Sequence, residues 1–123
     1  MAASSLRPRL RAALTAAMKA RDPTAVAALR SALAAIDNAE AVDPAHTPAV
    51  GLGAGPIAKA VTGLGAGEVA RRQLTAHEEA AVVAAEVAER RSAAAEYDHL
   101  GRADDASRLR AEADVLAAQL DTH

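Results

Sequence analysis

The sequence predicts an all-α protein: two antiparallel helical hairpins, four main helices in all, joined by a Gly/Pro-rich insertion. Three observations carry that expectation. Alanine, the best intrinsic helix former, accounts for 37 of the 123 residues. With one Tyr and no Phe or Trp, the chain lacks most of the side chains that favour strands or stack nucleobases. Apolar residues recur at helical spacing except in a stretch from about residue 42, which holds six of the seven glycines and three of the five prolines.

The first hairpin spans residues 4–41. Ser4 or Ser5 can cap a first helix, and Pro8 falls in its opening turn, where a missing amide is tolerated. Leu6, Leu10, Leu14 and Met18 follow at four-residue intervals as one slowly drifting stripe. Asp22-Pro23 then restarts the chain, with Asp22 placed to accept from orphan amides and Pro23 at the first helical position. Val26, Leu29, Leu33 and Ile36 repeat at 3, 4, 3, a heptad seam, and the turn before them is so short that the two helices must run antiparallel.

Residues 42–74 read as a flexible insertion. GLGAG occurs at 51–55 and again at 63–67, but no strand-like run precedes either copy, which argues against a phosphate-binding glycine loop and for a linker. The second hairpin, 75–121, opens on the capping box Thr75-Ala76-His77-Glu78. A long helix with Val83, Val87, Ala94 and Tyr97 on its apolar face should end at Gly101 in the left-handed position. A last helix begins between Arg102 and Asp105 and places Leu109, Ala113, Leu116 and Leu120 on one side. Glu86 with Arg90, Asp104 with Arg108, and Arg110 with Asp114 are spaced as i, i+4 surface pairs.

A core of 12 Leu, 9 Val, 2 Ile and 2 Met is small, and the absence of cysteine excludes disulfides and thiolate chemistry and fits a reducing compartment. The four histidines (His46, His77, His99 and His123) have no metal-ligand spacing, no serine sits in a nucleophile elbow, and Glu78/Glu79 and Glu86/Glu89 read as solvated helix faces. No catalytic, metal or cofactor site is therefore expected. No window is apolar enough to span a membrane, and Arg7, Arg9 and Arg11 interrupt any signal-peptide core, so a soluble, cytoplasmic protein is expected.

Charge is unevenly placed. The net value is −2, yet residues 1–36 carry Arg7, Arg9, Arg11, Lys19, Arg21 and Arg30 against Asp22 alone, +5 against −7 for the remainder. Arg7, Arg11, Lys19, Arg21 and Arg30, joined by Arg90, Arg91 and Arg102 in the second hairpin, are the candidate contacts for nucleic-acid phosphates or a protein partner.

Met18-Lys19-Ala20-Arg21-Asp22, the run Leu29 to Glu40 (LRSALAAIDNAE), Arg72-Gln73-Leu74-Thr75, and Glu86-Val87-Ala88-Glu89-Arg90-Arg91 through Glu96-Tyr97 to Gly101-Arg102 together resemble the bacterial YqeY-like proteins. These are similar to the tail of GatB, a subunit of the glutamine-dependent tRNA amidotransferase. The resemblance covers residues 6–41 and 68–120. It implies a helical domain tied to tRNA-dependent transamidation, the carbon–nitrogen ligase class with glutamine as amido donor, without catalytic residues of its own and in contact with tRNA or amidotransferase subunits. Two departures from that family are visible: the glycine-rich insertion is longer than its usual connection, and Ala118-Gln119-Leu120 runs to the terminus where a small second helical domain would follow. The alternative is a protein-interaction or self-association module, a homodimer, with no RNA role.

Overall fold

The computed structural model describes residues 5–41 and 73–121. All their regular structure is helical, with no strand among the described residues. In chain order the helices are α1 (Leu6–Ala20), α2 (Pro23–Glu40), α3 (Ala76–His99) and α4 (Ala103–Asp121). The chain divides into a body made of residues up to Ile36 together with Thr75 onward, and a second unit, Asp37–Leu74. The two GLGAG copies, His46 and most of the 42–74 insertion lie outside the described residues, as does His123.

Both hairpins turn by the same device. At the end of α1 the amide of Asp22 donates to Ala17 O (3.0 Å) and that of Arg21 to Met18 O (3.1 Å), a Schellman pair closed by Arg21 in the left-handed region (φ 56). At the end of α3 the amide of Arg102 donates to Tyr97 O (2.8 Å) and that of Gly101 to Asp98 O (3.0 Å), and Gly101 has φ 74. The residue that completes each motif opens the next helix. Asp22 accepts the Ala25 amide on Oδ1 (3.1 Å) and the Val26 amide on its carbonyl (3.0 Å), while the Arg102 carbonyl takes the Ala106 amide (3.1 Å). A chain that leaves one helix and enters the next within two residues, as after α1, or three, as after α3, must reverse direction, which is why each pair is a hairpin.

The core is built largely from small side chains. Leu6, Leu10 and Ala17 of α1 are buried, as are Ala25, Ala28, Leu29, Ala32 and Ile36 of α2, Val83, Val87 and Ala94 of α3, and Ala106, Ala113 and Leu116 of α4. Seven of these are alanines, which let helix axes approach toward the lower end of the usual separation, about 8 Å. Helices α3 and α4 pack along each other, and α1 touches both.

Two seams differ from their expected form. In α1 Met18 is 51% exposed and Ala17 is buried instead. A four-residue step advances 400° around a helix, so each repeat drifts by about 40°, and after three repeats the stripe has left the core. In α2 Val26 and Leu33 are only half-buried, and the contact line runs through Ala25, Ala28/Leu29, Ala32 and Ile36. Alanines thus supply three of the five buried positions of α2 up to Ile36, and Val26 and Leu33 lie beside them in sequence.

On α3 the seam runs Glu79, Val83, Val87, Arg90, Ala94 and Tyr97, a near-heptad course in which two charged residues stand where apolar ones usually do. Glu79 is 5% exposed. Its Oε1 accepts both the Ser5 hydroxyl (2.8 Å) and the Leu6 amide (2.8 Å), so a carboxylate on α3 caps the N-terminus of α1. Ser5 in turn takes the Arg7 amide on its own Oγ. The reading of Glu78 and Glu79 as a solvated face is thereby corrected: Glu79 is buried at a helix end, and Glu78 closes the Thr75 capping box, with Thr75 N to Glu78 Oε1 at 2.9 Å and Glu78 N to Thr75 Oγ1 at 3.0 Å.

Candidate functional site

The cations of the two hairpins are treated in opposite ways. On α3 and α4 every described arginine is held by an acid. Arg90 bridges Glu86 (Nη1 to Oε1, 2.8 Å) and Glu112 (Nε to Oε1, 2.9 Å), with all three side chains no more than 19% exposed. Burial pulls the guanidinium pKa down, but hydrogen bonds and charge from Glu86 and Glu112 outweigh it and hold Arg90 above its ordinary value. Ser31 of α2 donates to the same Glu86 oxygen (3.0 Å), which ties the first hairpin to the bridge.

Around that bridge the pairing is looser and more exposed. Arg91 meets Asp114 at 3.5 Å, and Arg102 meets Asp105 at 3.0 Å while lying over the Tyr97 ring, 5.6 Å from its centroid. Arg108 also reaches Asp105 (3.2 Å), and Arg110 binds Asp98 across the turn. The expected i, i+4 pairs Asp104–Arg108 and Arg110–Asp114 are therefore replaced. An i, i+3 partner and cross-hairpin partners lie closer, because two antiparallel helices joined by a short turn bring their facing charges within reach.

On α1 and α2 the opposite holds. Arg11, Lys19, Arg21 and Arg30 are all exposed, and among the described residues no acid pairs with any of them. Asp22, the one acid among residues 5–36, has an oxygen turned to the opening amides of α2. Arg7 is half-buried and is engaged elsewhere. Of the sequence-selected residues, then, Arg11, Lys19, Arg21 and Arg30 are the exposed, unneutralised charges of the first hairpin among the described residues. Arg90, Arg91 and Arg102 belong to the ion-pair lattice of the other.

Arg21 adds backbone strain to its charge. A non-glycine residue in the left-handed region costs about 1–2 kcal/mol, and the equivalent position of the second hairpin is Gly101. The sequence located both turns but marked only Gly101 as left-handed; Arg21 holds the same place, one residue before the carbonyl that opens the next helix.

Among the described residues no group of three His, Cys, Asp or Glu is placed to hold a metal ion, and no helix is long and apolar enough to cross a membrane. His77 and His99 are exposed. Compared with protein-family models, with curated proteins and with solved structures, the chain matches none.

Proposed function

We propose that this protein is a non-catalytic helical module of the GatB/YqeY kind, associated with tRNA-dependent transamidation and docking onto tRNA through the outer side of the α1–α2 hairpin. The supporting observation is the unpaired quartet Arg11, Lys19, Arg21 and Arg30, on a chain that neutralises its described arginines in the other hairpin. Guanidinium and ammonium groups left in water at an exposed face are available to phosphates, and their counterions are released when a polyanion arrives. The strained Arg21 supports the same reading, since a position where glycine is cheaper carries a cation. With one aromatic residue in the chain, such contacts engage the backbone and shape of the RNA rather than stacked bases. Amide-transfer chemistry would belong to the associated subunits.

Filter binding of bulk tRNA across a salt series tests this. Four phosphate contacts predict a log–log salt slope of about −3 to −4, and replacing Arg11, Lys19, Arg21 and Arg30 by Gln removes most of it. Absence of binding at tens of micromolar in low salt contradicts the proposal.

A further inference from the structure

The N-terminal end of α1 concentrates positive charge in a way that the phosphate-facing quartet does not explain. Arg7, Arg9 and Arg11 fall in or next to the opening turn of a helix that has no acidic residue there, at the end where the macrodipole is already positive. The backbone donors at this end are spoken for: Leu6 N–H goes to Glu79, Arg7 N–H to Ser5, and Pro8 has none. The helix terminus itself is therefore not an anion site. What remains is the Arg9 side chain. Its Nε, Nη1 and Nη2 are all buried and none has a hydrogen-bond partner, although the residue as a whole is only half-buried.

A guanidinium presents five donors in a planar fork that matches two oxygens of one acceptor group. Taking all of its nitrogens out of water without an acceptor is among the costliest arrangements a side chain can adopt, and folded proteins avoid it unless an ion or ligand completes the site. Glu79, the acid that reaches this end of α1, directs Oε1 to Ser5 and Leu6, and none of its hydrogen bonds is to Arg9. Part of Arg9 is exposed while its three nitrogens are not, so an entering group reaches the fork when the side chain shifts toward solvent.

We infer that Arg9 is the seat of an oxyanion of the phosphate class, bound by the two-pronged face of its guanidinium beside the first turn of α1, a site independent of the exposed quartet. The shared chemistry is a tetrahedral oxyanion, whether free phosphate or a phosphate of an RNA backbone.

The test is thermal unfolding of the full chain with increasing inorganic phosphate against chloride at matched ionic strength, for the wild type, Arg9→Met and Arg9→Lys. Methionine has a similar reach and no charge, and replacing an unpartnered buried cation by an apolar residue leaves the fold intact or strengthens it. The wild type should show a saturable rise in midpoint. Arg9→Met should lose at least about tenfold in apparent phosphate affinity, and Arg9→Lys, a point charge without the fork, should fall between them. Arg108→Met, on the second hairpin and outside both proposed sites, should keep the wild-type response. An equal phosphate effect in wild type and Arg9→Met would be general salt stabilisation and would overturn the inference, as would no effect in the wild type. Titrating the same variants with tRNA identifies the source: weaker tRNA binding by Arg9→Met assigns the oxyanion to the RNA backbone, and unchanged binding assigns it to free phosphate. An Arg9-dependent phosphate response in a protein that binds no tRNA removes the tRNA reading and leaves this site standing.

Discussion

Single side chains carry much of what distinguishes this bundle from a generic alanine-rich one. Glu79 is buried against the start of α1 and accepts two hydrogen bonds there, so Glu79→Ala strands the Leu6 amide and should lower the unfolding free energy by about 1–3 kcal/mol in urea titration, with Glu79→Gln losing less because its carbonyl oxygen still accepts. Arg90 sits between two carboxylates. Removing it leaves both half-buried acids facing each other, and Arg90→Ala should cost about 2–4 kcal/mol, toward the lower side of the range for broken buried pairs because some solvent reaches the site. Since its folded pKa is raised, its stabilisation is fully present below the ordinary guanidinium value and is lost only as pH rises through the folded one. Unfolding measured from about pH 7 to pH 10 should show no loss that disappears in an Arg90→Met background. Arg21→Gly separates two effects at one position: relief of the left-handed strain should raise stability by about 1 kcal/mol, while loss of the cation should weaken tRNA binding.

The helices themselves were written plainly in the sequence. Asp22-Pro23, the Thr75–Glu78 box and Gly101 are local signals, each satisfied by a hydrogen bond or a backbone angle within a few residues, and each appears where its residues demand it. The seams were less legible. Ranking side chains by bulk selects Met18, Val26 and Leu33, but a close-packed helix interface is centred on its smallest residues, so Ala17, Ala25, Ala28 and Ala32 are buried instead. Glu79 and Arg90 were hidden by their charge: their places in the α3 seam follow from the spacing of Val83, Val87 and Ala94, yet their partners Leu6 and Glu112 lie on other helices, and no local pattern announces them. The alanine interface makes its own prediction. Ala32→Leu inserts three carbons at a fully buried position and should destabilise by about 1–3 kcal/mol, whereas Ala34→Leu, on the exposed side of α2, should change stability by less than about 0.5 kcal/mol.

For the whole molecule the sequence announced a charge asymmetry, and the structure gives it a mechanism. The second hairpin closes its arginines into ion pairs with its own acids, whereas residues 5–36 of the first hairpin carry one acid, Asp22. An exposed ion pair adds little to stability, about 0–1 kcal/mol, so the pairing matters more for what it occupies: Arg91, Arg102, Arg108 and Arg110 each face an acid, whereas among the described residues Arg11, Lys19, Arg21 and Arg30 are exposed with no acid partner. Function was less legible than fold for a physical reason, since an exposed cation on a helix looks the same in sequence whether or not an acid from another helix will cover it. The most direct measurement is the salt dependence of tRNA binding by two charge-matched variants, one with Arg11, Lys19, Arg21 and Arg30 changed to Gln and one with Arg91, Arg102, Arg108 and Arg110 changed to Gln. The slope should collapse toward zero in the first and stay near the wild-type value in the second; equal losses in both, or a wild type that binds no tRNA in low salt, would rule out docking through the first hairpin.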